Sequence, residues 1–307
     1  MTPEEDDVRE RPRQERPADD GASVLGVIGG SGLYDMEGLV AVEEVEVQTP
    51  YGAPSDTIVR GRLGATTLLF LPRHGRGHRV APHEIPFRAN VCAMKKLGAT
   101  HLVSISAVGS MKEAITPGDF VVVDQLIDLT KRRVSTFFDE GLVGHVGFAD
   151  PVCGALSGAL AQAVSHAGAR GHSGGTYVCI EGPQFSTRAE SLLYRSWGVS
   201  VIGMTALPEA KLAREAELPY ALLALATDYD CWHESEEDVS VEAVLAVMGE
   251  NVAKARTAIA QLARALPDCA LSPARRALAP ALMTAPDRIA PETRSRLDWL
   301  IGKYVRS

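Results

Sequence analysis

The chain has 307 residues, of which 46% are hydrophobic and 23% are charged, and its formal net charge at pH 7 is −8. This composition is typical of a soluble globular protein with one large core or two modest ones. The acidic balance argues against a nucleic-acid or anionic-membrane partner, which would favour a basic face. It does not exclude a small anion, because a few local Arg, His and backbone N–H groups can bind one.

The five cysteines are scattered, and no C-x-x-C spacing occurs. The sequence therefore predicts reduced thiols, with neither a disulfide framework nor a zinc site. The N-terminus lacks the apolar segment of a secretory signal, and no apolar run is long enough to cross a bilayer. We therefore expect a cytoplasmic protein.

In chain order, residues 1–22 are rich in Glu, Asp, Arg and Pro and are expected to form a disordered leader. Short apolar runs and helical patterns then follow one another. They predict strands at 24–28, 67–71, 102–105, 120–123, 177–180, 199–202 and 221–226, and helices at 85–97, 155–167, 189–197, 208–217 and 239–265. This order indicates one α/β domain over 23–266, with a mixed, mostly parallel sheet flanked by helices. Residues 267–307 form a C-terminal extension: a packed helix, an oligomer contact or a loose tail.

Three donor-rich segments each follow a predicted strand, where ligands of open α/β sheets usually bind. Residues 29–33, Gly-Gly-Ser-Gly-Leu, offer backbone N–H groups and the Ser31 hydroxyl to an oxyanion. Arg73 and His74 follow the second strand, and a guanidinium binds an oxyanion through two parallel charge-assisted bonds. The Ser-rich residues 104–110 follow the third. Each segment alone is also explained by a turn or a solvated loop, but together they favour an anion site.

Other ligands fit these segments less well. The glycine loop does not match the dinucleotide fingerprint, because Asp35 stands where the last glycine would be, and the chain has no P-loop motif. His74 and His78 have the spacing of a metal-binding pair, but no third ligand is evident nearby. We therefore predict no metal site.

Residues 181–186 follow the strand at 177–180 and contain Phe185, which could stack on a base, beside Ser186. The alternative is a capped helix start, since Glu190 stands at capping-box spacing from Thr187.

Asp228 and Asp230 follow the last predicted strand, and alternation along a strand would place both on one side. Like charges that share a site tend to raise one pKa, which would make one carboxyl a proton donor near neutrality. An exposed acidic turn is the simpler interpretation if nothing else is considered.

These segments occur in the order found in one enzyme family. The matching stretches are 29–33, 71–76, 82–85, 117–119, 180–183, 204–210 with 213–215, and 226–232. They resemble the trimeric branch of the purine nucleoside phosphorylases, most closely the members that act on 5′-methylthioadenosine, from about Val24 to Ala265. The resemblance implies a nucleoside phosphorylase fold and a homotrimer. It also implies cleavage of 5′-methylthioadenosine by phosphate, a co-substrate, to adenine and 5-methylthioribose 1-phosphate, without a metal or organic cofactor.

The resemblance also implies site residues. Phosphate would be held by Ser31, Arg73, His74, Ser106, the backbone N–H of Ala107, and Thr205. The nucleoside would contact Met204 under the ribose, Phe185 and Ser186 beside the base, and Val241, Val244, Leu245 and a neighbouring subunit's copy of His145 at the 5′ end. The family often carries Asn before this Met; Gly203 stands there here, so any hydrogen bond from that position is lost.

The acid pair favours 6-aminopurines, because one carboxylate can accept from N6 while the other, protonated, donates to N7. We assign N7 to Asp228 and N6 to Asp230. An apolar 5′ lining rejects an added hydroxyl only about 10²-fold, so adenosine is expected as a slow second substrate. Two other functions stay open at this point: a hydrolytic nucleosidase of the same fold, and a non-catalytic purine-nucleoside sensor.

Overall fold

The computed structural model describes residues 23–30, 32–234 and 241–305. For residues 241 and 243–246 it describes the backbone but not the side chains. The strands are β1 (Val24–Gly29), β2 (Val40–Val45), β3 (Ile58–Leu63), β4 (Thr66–Pro72), β5 (His101–Ser110), β6 (Phe120–Val123), β7 (Gln125–Asp128), β8 (Gly171–Ser173), β9 (Thr176–Cys179), β10 (Val201–Gly203) and β11 (Tyr220–Asp228). The helices are α1 (Phe87–Lys96), α2 (Gly154–His166), α3 (Arg188–Ser196), α4 (Glu209–Glu215), α5 (Val241–Arg264) and α6 (Pro291–Ile301).

The strands of the described residues form one mixed eleven-stranded sheet. Its main path is β2-β3-β4-β1-β5-β10-β9-β7. Strand β5 pairs in parallel with β1 on one side and β11 on the other, and its last residues pair with β10 in the antiparallel sense. The predicted mixed sheet flanked by helices is confirmed, and β5 is the strand on which its two branches meet.

Burial on both faces explains the apolar runs. In β11, Leu222, Ala224 and Ala226 enter one core, whereas the alternating Leu223 and Leu225 enter the other. Helices α1 and α4 contribute to the first core, and α2 and α5 to the second. A strand buried on both sides reads as a continuous apolar run without alternation, as β11 does.

Three differences from the predicted elements have physical causes. The strand predicted at 102–105 is longer than expected: the Ser-rich residues 104–110 continue it as β5, since β11 pairs with β5 as far as Gly109. Strand β2 was not predicted because five of its six residues are exposed, so it lacks an apolar pattern. Strands β3, β7 and β8 were also missed; the last two are short and pair at the periphery.

The C-terminal extension packs against the domain. Leu297 and Ile301 of α6 are fully buried in the first core. Residues 281–284 pair with the loop at 143–145, with an isolated bridge between Gly144 and Leu282. Of the packed helix, the oligomer contact and the loose tail considered above, the packed helix is therefore the one seen in the single chain. None of the described helices has both the length and the apolar character needed to cross a membrane.

Candidate active site

The three donor-rich segments meet at one edge of the sheet. Gly29, the last residue of β1, is in register with Pro72 of β4, and Ile28 with Ser104 of β5. The N–H of Arg73 donates to the carbonyl of Gly29 at 2.8 Å. Adjacent parallel strands end at the same edge, which is why segments so far apart in sequence converge. Ser31 itself lies outside the described residues.

Arg73 is buried, although its place after a strand predicted an exposed loop residue. Its side chain is 2% exposed and forms an ion pair with Glu209, whose carboxylate lies 3.0 Å from Nε. The guanidinium also donates to the carbonyls of Ile28 and Ile105, each at 2.9 Å, and to Ser104 Oγ at 2.7 Å. Burial disfavours the charge, yet Glu209 holds the Arg73 pKa above its ordinary value. The contact of Arg73 with phosphate stays a prediction. Its bonds to Glu209 and to the ends of β1 and β5 give it a structural role as well.

His74 is held as a neutral ring. Burial lowers its pKa to about 4, and its Nδ1 lies 2.8 Å from the carbonyl of Val80. A carbonyl only accepts, so Nδ1 carries the proton and Nε2 is left as an acceptor. The ring stacks on His78 with centroids 4.2 Å apart. Stacked rings do not direct their nitrogens to one point, which disfavours the metal pair.

Ser106 and Thr205 come together although 99 residues separate them in sequence. Ser106 Oγ and Thr205 Oγ1 are 3.0 Å apart, and each residue is 6% exposed. Ala107 is the one exposed residue of the fully described strand β5. An exposed position in a strand that is otherwise buried shows that β5 borders an open space here.

Asp228 and Asp230 are also neighbours, but not by strand alternation. Asp230 has φ +55°, so it lies in a turn, and its N–H donates to Asp228 Oδ1 at 2.8 Å. Thr227 donates to the other oxygen, Oδ2, at 2.7 Å. Burial is the main cause that raises the Asp228 pKa, while the charge of Asp230 adds to it as the smallest contribution. The expected raised pKa is thus present, with desolvation as the dominant cause.

A glycine makes room for this acid. Asp228 is in register with Gly109 of β5, and a Cβ on Gly109 would lie 2.9 Å from Asp228 Oδ1 and 3.2 Å from the Cβ of Asp230. A larger residue at 109 would push the carboxylate away. The Ser-rich segment therefore contributes this space as well as its hydroxyl groups.

The segment at 181–186 borders both the acid pair and Met204. Cys231, next to Asp230, donates through Sγ to the carbonyl of Ser186 at 3.3 Å. A Cβ on Gly182 would lie 2.4 Å from the Met204 sulfur. Phe185 is 45% exposed, and Ser186 Oγ is buried without a hydrogen-bond partner in the described part of the chain. Their contact with a base stays a prediction.

The helix-cap interpretation of the same segment is confirmed. Thr187 and Glu190 form a complete capping box at the start of α3. The cap fixes the end of the segment that carries Phe185 and Ser186.

The predicted 5′ residues are described least. Val241, Val244 and Leu245 lie in α5, but their side chains are outside the described residues. His145 is exposed, and its N–H donates to the carbonyl of Ala281 at 2.9 Å. Within the described residues no hydrogen bond joins it to the other predicted site residues. Its role at a neighbouring subunit's site stays a prediction.

Arg133 is a residue that the sequence analysis missed. Its side chain is 1% exposed and pairs with Glu181 at 3.1 Å. It also donates to the carbonyls of Met204 at 2.7 Å, Leu207 at 2.6 Å and Glu181 at 2.6 Å. It therefore joins the segment that carries Phe185 to the segment that carries Thr205. Three consecutive basic residues at 131–133 look like a solvated loop, so no sequence signal could have singled it out.

The comparisons with known proteins identify the family. The pattern of the phosphorylase superfamily matches residues 24–266. The S-methyl-5′-thioadenosine phosphorylase of Geobacter sulfurreducens is 57% identical over 283 residues, which cover 92% of this chain and 99% of that protein. The chain belongs to the S-methyl-5′-thioadenosine phosphorylase family.

Solved structures of the family have the same fold. A methylthioadenosine phosphorylase from an antarctic soil metagenomic library matches with a TM-score of 0.86 and 49% identity, over 91% of this chain and 99% of that one. The methylthioadenosine phosphorylase of Schistosoma mansoni, solved with adenine, matches with a TM-score of 0.81 and 35% identity, over 85% and 99% of the two chains. The predicted nucleoside phosphorylase fold is therefore confirmed.

Proposed function

We propose that the protein cleaves 5′-methylthioadenosine with inorganic phosphate, releasing adenine and 5-methylthioribose 1-phosphate. The observation that carries the proposal is that hydroxyl groups suited to an anion and an acid suited to a base both lie along β5. The Ser106 and Thr205 hydroxyls lie together and offer a donor to an anion, and Gly109 is in register with the half-buried acid Asp228. Residues 106 and 109 are three positions apart, which is about 10 Å along the strand.

In the proposed reaction, a phosphate oxygen attacks the anomeric carbon as the bond from that carbon to adenine N9 breaks. The electron pair of the broken bond passes to the base, and Asp228 donates a proton to N7 so that neutral adenine leaves. The raised pKa of Asp228 keeps that proton available at higher pH than an ordinary Asp would. Phosphate is a co-substrate, and the proposal needs no metal or organic cofactor.

The hydrolytic nucleosidase and the nucleoside sensor are less well supported. A nucleosidase needs no anion donors, whereas the Ser106 and Thr205 hydroxyls lie together at the sheet edge. A sensor needs no proton donor for the base. Adenine release from 5′-methylthioadenosine, measured with and without phosphate, tests all three. We expect no turnover without phosphate and methylthioribose 1-phosphate as the sugar product; equal rates without phosphate would contradict the proposal.

A cytoplasmic homotrimer and a slow reaction with adenosine belong to the same proposal. The trimer rests on the family resemblance, which places a neighbouring subunit's His145 at the 5′ end of the substrate, and His145 is exposed in the single chain. Light scattering at assay concentration should give the mass of three chains. A fully active monomer would refute it.

A further inference from the structure

Tyr177 occupies the space that a side chain at position 203 would need. Strands β9 and β10 are parallel neighbours, with Gly203 in register with Cys179. A Cβ on Gly203 would lie 2.0 Å from the Tyr177 hydroxyl oxygen and 2.6 Å from its Cζ. Only glycine fits at 203 while Tyr177 adopts this position. The Tyr177 hydroxyl therefore lies where a side chain at position 203 would begin.

The Tyr177 hydroxyl joins the two hydroxyls predicted to bind phosphate. Tyr177 is fully buried, and its oxygen accepts the N–H of Thr205 at 3.3 Å. The same oxygen lies 3.3 Å from Ser106 Oγ, which is 3.0 Å from Thr205 Oγ1. Burial raises the pKa of Tyr177 to about 12, so the hydroxyl keeps its proton at neutral pH.

The direction of donation is fixed at one end of this cluster. The backbone N–H of Thr205 can only donate, so it uses a lone pair of the Tyr177 oxygen. In the order that we infer, the Tyr177 hydroxyl donates to Ser106 Oγ, and Ser106 donates to Thr205 Oγ1 at 3.0 Å rather than to the carbonyl of Ala107 at 3.2 Å. In this order Thr205 accepts within the cluster, and its own proton is left to donate to a ligand. Hydrogen bonds in such a chain strengthen one another.

We propose that Tyr177 is a positioning residue for phosphate, which orders the hydrogen bonds through Ser106 so that the Thr205 hydroxyl donates to the anion. This inference rests on the proposed function and extends it to a residue that does not itself touch phosphate. It also gives Gly203 a role, since a larger residue there would displace the Tyr177 hydroxyl.

The test is the variant Tyr177→Phe, which keeps the ring and removes the hydroxyl. One hydrogen bond of this kind corresponds to about a 3–10-fold change. We expect KM for phosphate, and Kd for inorganic phosphate by calorimetry, to rise about 3–10-fold, with Kd for 5′-methylthioadenosine changed less than about twofold. Tyr304→Phe is the matched control, because it removes a hydroxyl that donates to Glu217 at 2.6 Å in the C-terminal extension; phosphate binding should not change. If Tyr177→Phe is insoluble, Tyr177→Met replaces it.

A double-mutant cycle with Ser106→Ala tests the route of the effect. If Tyr177 acts through Ser106, then Tyr177→Phe should weaken phosphate binding little further once Ser106 Oγ is gone. Additive losses, an unchanged KM for phosphate, or equal losses for both substrates would overturn the proposal. Phosphate-independent cleavage by the wild type would instead refute the proposed function. The calorimetric Kd for inorganic phosphate would then test the role of Tyr177 in anion binding separately.

Discussion

Replacing Asp228 by Asn is the sharpest test of the chemistry. General acid catalysis contributes typically 10²–10⁴-fold, so we expect kcat for 5′-methylthioadenosine to fall by about that factor. The structure indicates that the loss should not come from misfolding. The Asn oxygen can keep the bond from the Asp230 N–H, while the Thr227 hydroxyl can rotate to accept from the new amide, because the Val108 carbonyl lies 3.2 Å away as its alternative acceptor. Substrate binding should therefore survive.

The pH dependence provides an independent check. Burial raises the Asp228 pKa, so the acid is protonated below that value and loses its proton as the pH rises through it. We expect wild-type kcat to fall on the alkaline side and the Asp228→Asn profile to lack that fall. The same variant should favour inosine relative to methylthioadenosine, since an amide can donate to the 6-oxo group. Asp230→Asn should show more of this preference shift and a smaller loss of kcat.

The assay is adenine release from methylthioadenosine and hypoxanthine release from inosine, each at saturating phosphate. Asp119→Asn is the matched control: Asp119 is a buried carboxylate that accepts from Thr116 and contacts His172 at 2.8 Å, outside the predicted site. If kcat of Asp228→Asn stays within about threefold of the wild-type value, Asp228 is not the acid. The same conclusion follows if Asp119→Asn lowers kcat as much as Asp228→Asn does. An acidic turn would then suffice to explain the pair.

Three further changes have expected outcomes. Arg73→Ala should destabilise the fold by about 3–5 kcal/mol, measured by denaturant unfolding, because it leaves Glu209 buried and unpaired; adding Glu209→Gln should recover part of that loss. Arg133→Lys should raise KM for methylthioadenosine about tenfold, since a lysine cannot replace all the bonds to Met204 and its neighbours; an unchanged KM would contradict this. Burial raises the Glu215 pKa to about 7 from 4.5, so its contribution to stability is complete below pH 4.5 and lost as pH rises through 7. Relative to wild type, Glu215→Gln should gain about 2–3 kcal/mol between pH 5 and 8, and a constant difference would refute this.

Much of the fold and the site could be predicted from local patterns. Apolar runs buried on both faces identify β1, β4, β6 and β11, because a strand in the middle of such a sheet has no solvent side. The capping box at Thr187 is a local contact within one turn, so its spacing alone predicts it. The donor-rich segments could be recognised for a similar reason, since the residue types that bind anions stand directly after these strands.

Only the tertiary structure decided how those segments combine. Arg73 looks like a ligand-binding loop residue until α4 brings Glu209 against it from 136 positions away. Residues 104–110 look like a turn until β11 pairs with them, and Tyr177 and Arg133 have no distinctive pattern around them. The physical reason is that a hydrogen bond or an ion pair depends on distance in space, whereas the sequence records only distance along the chain. The residue types at the site were thus determined locally, and their partners and protonation were determined by the fold.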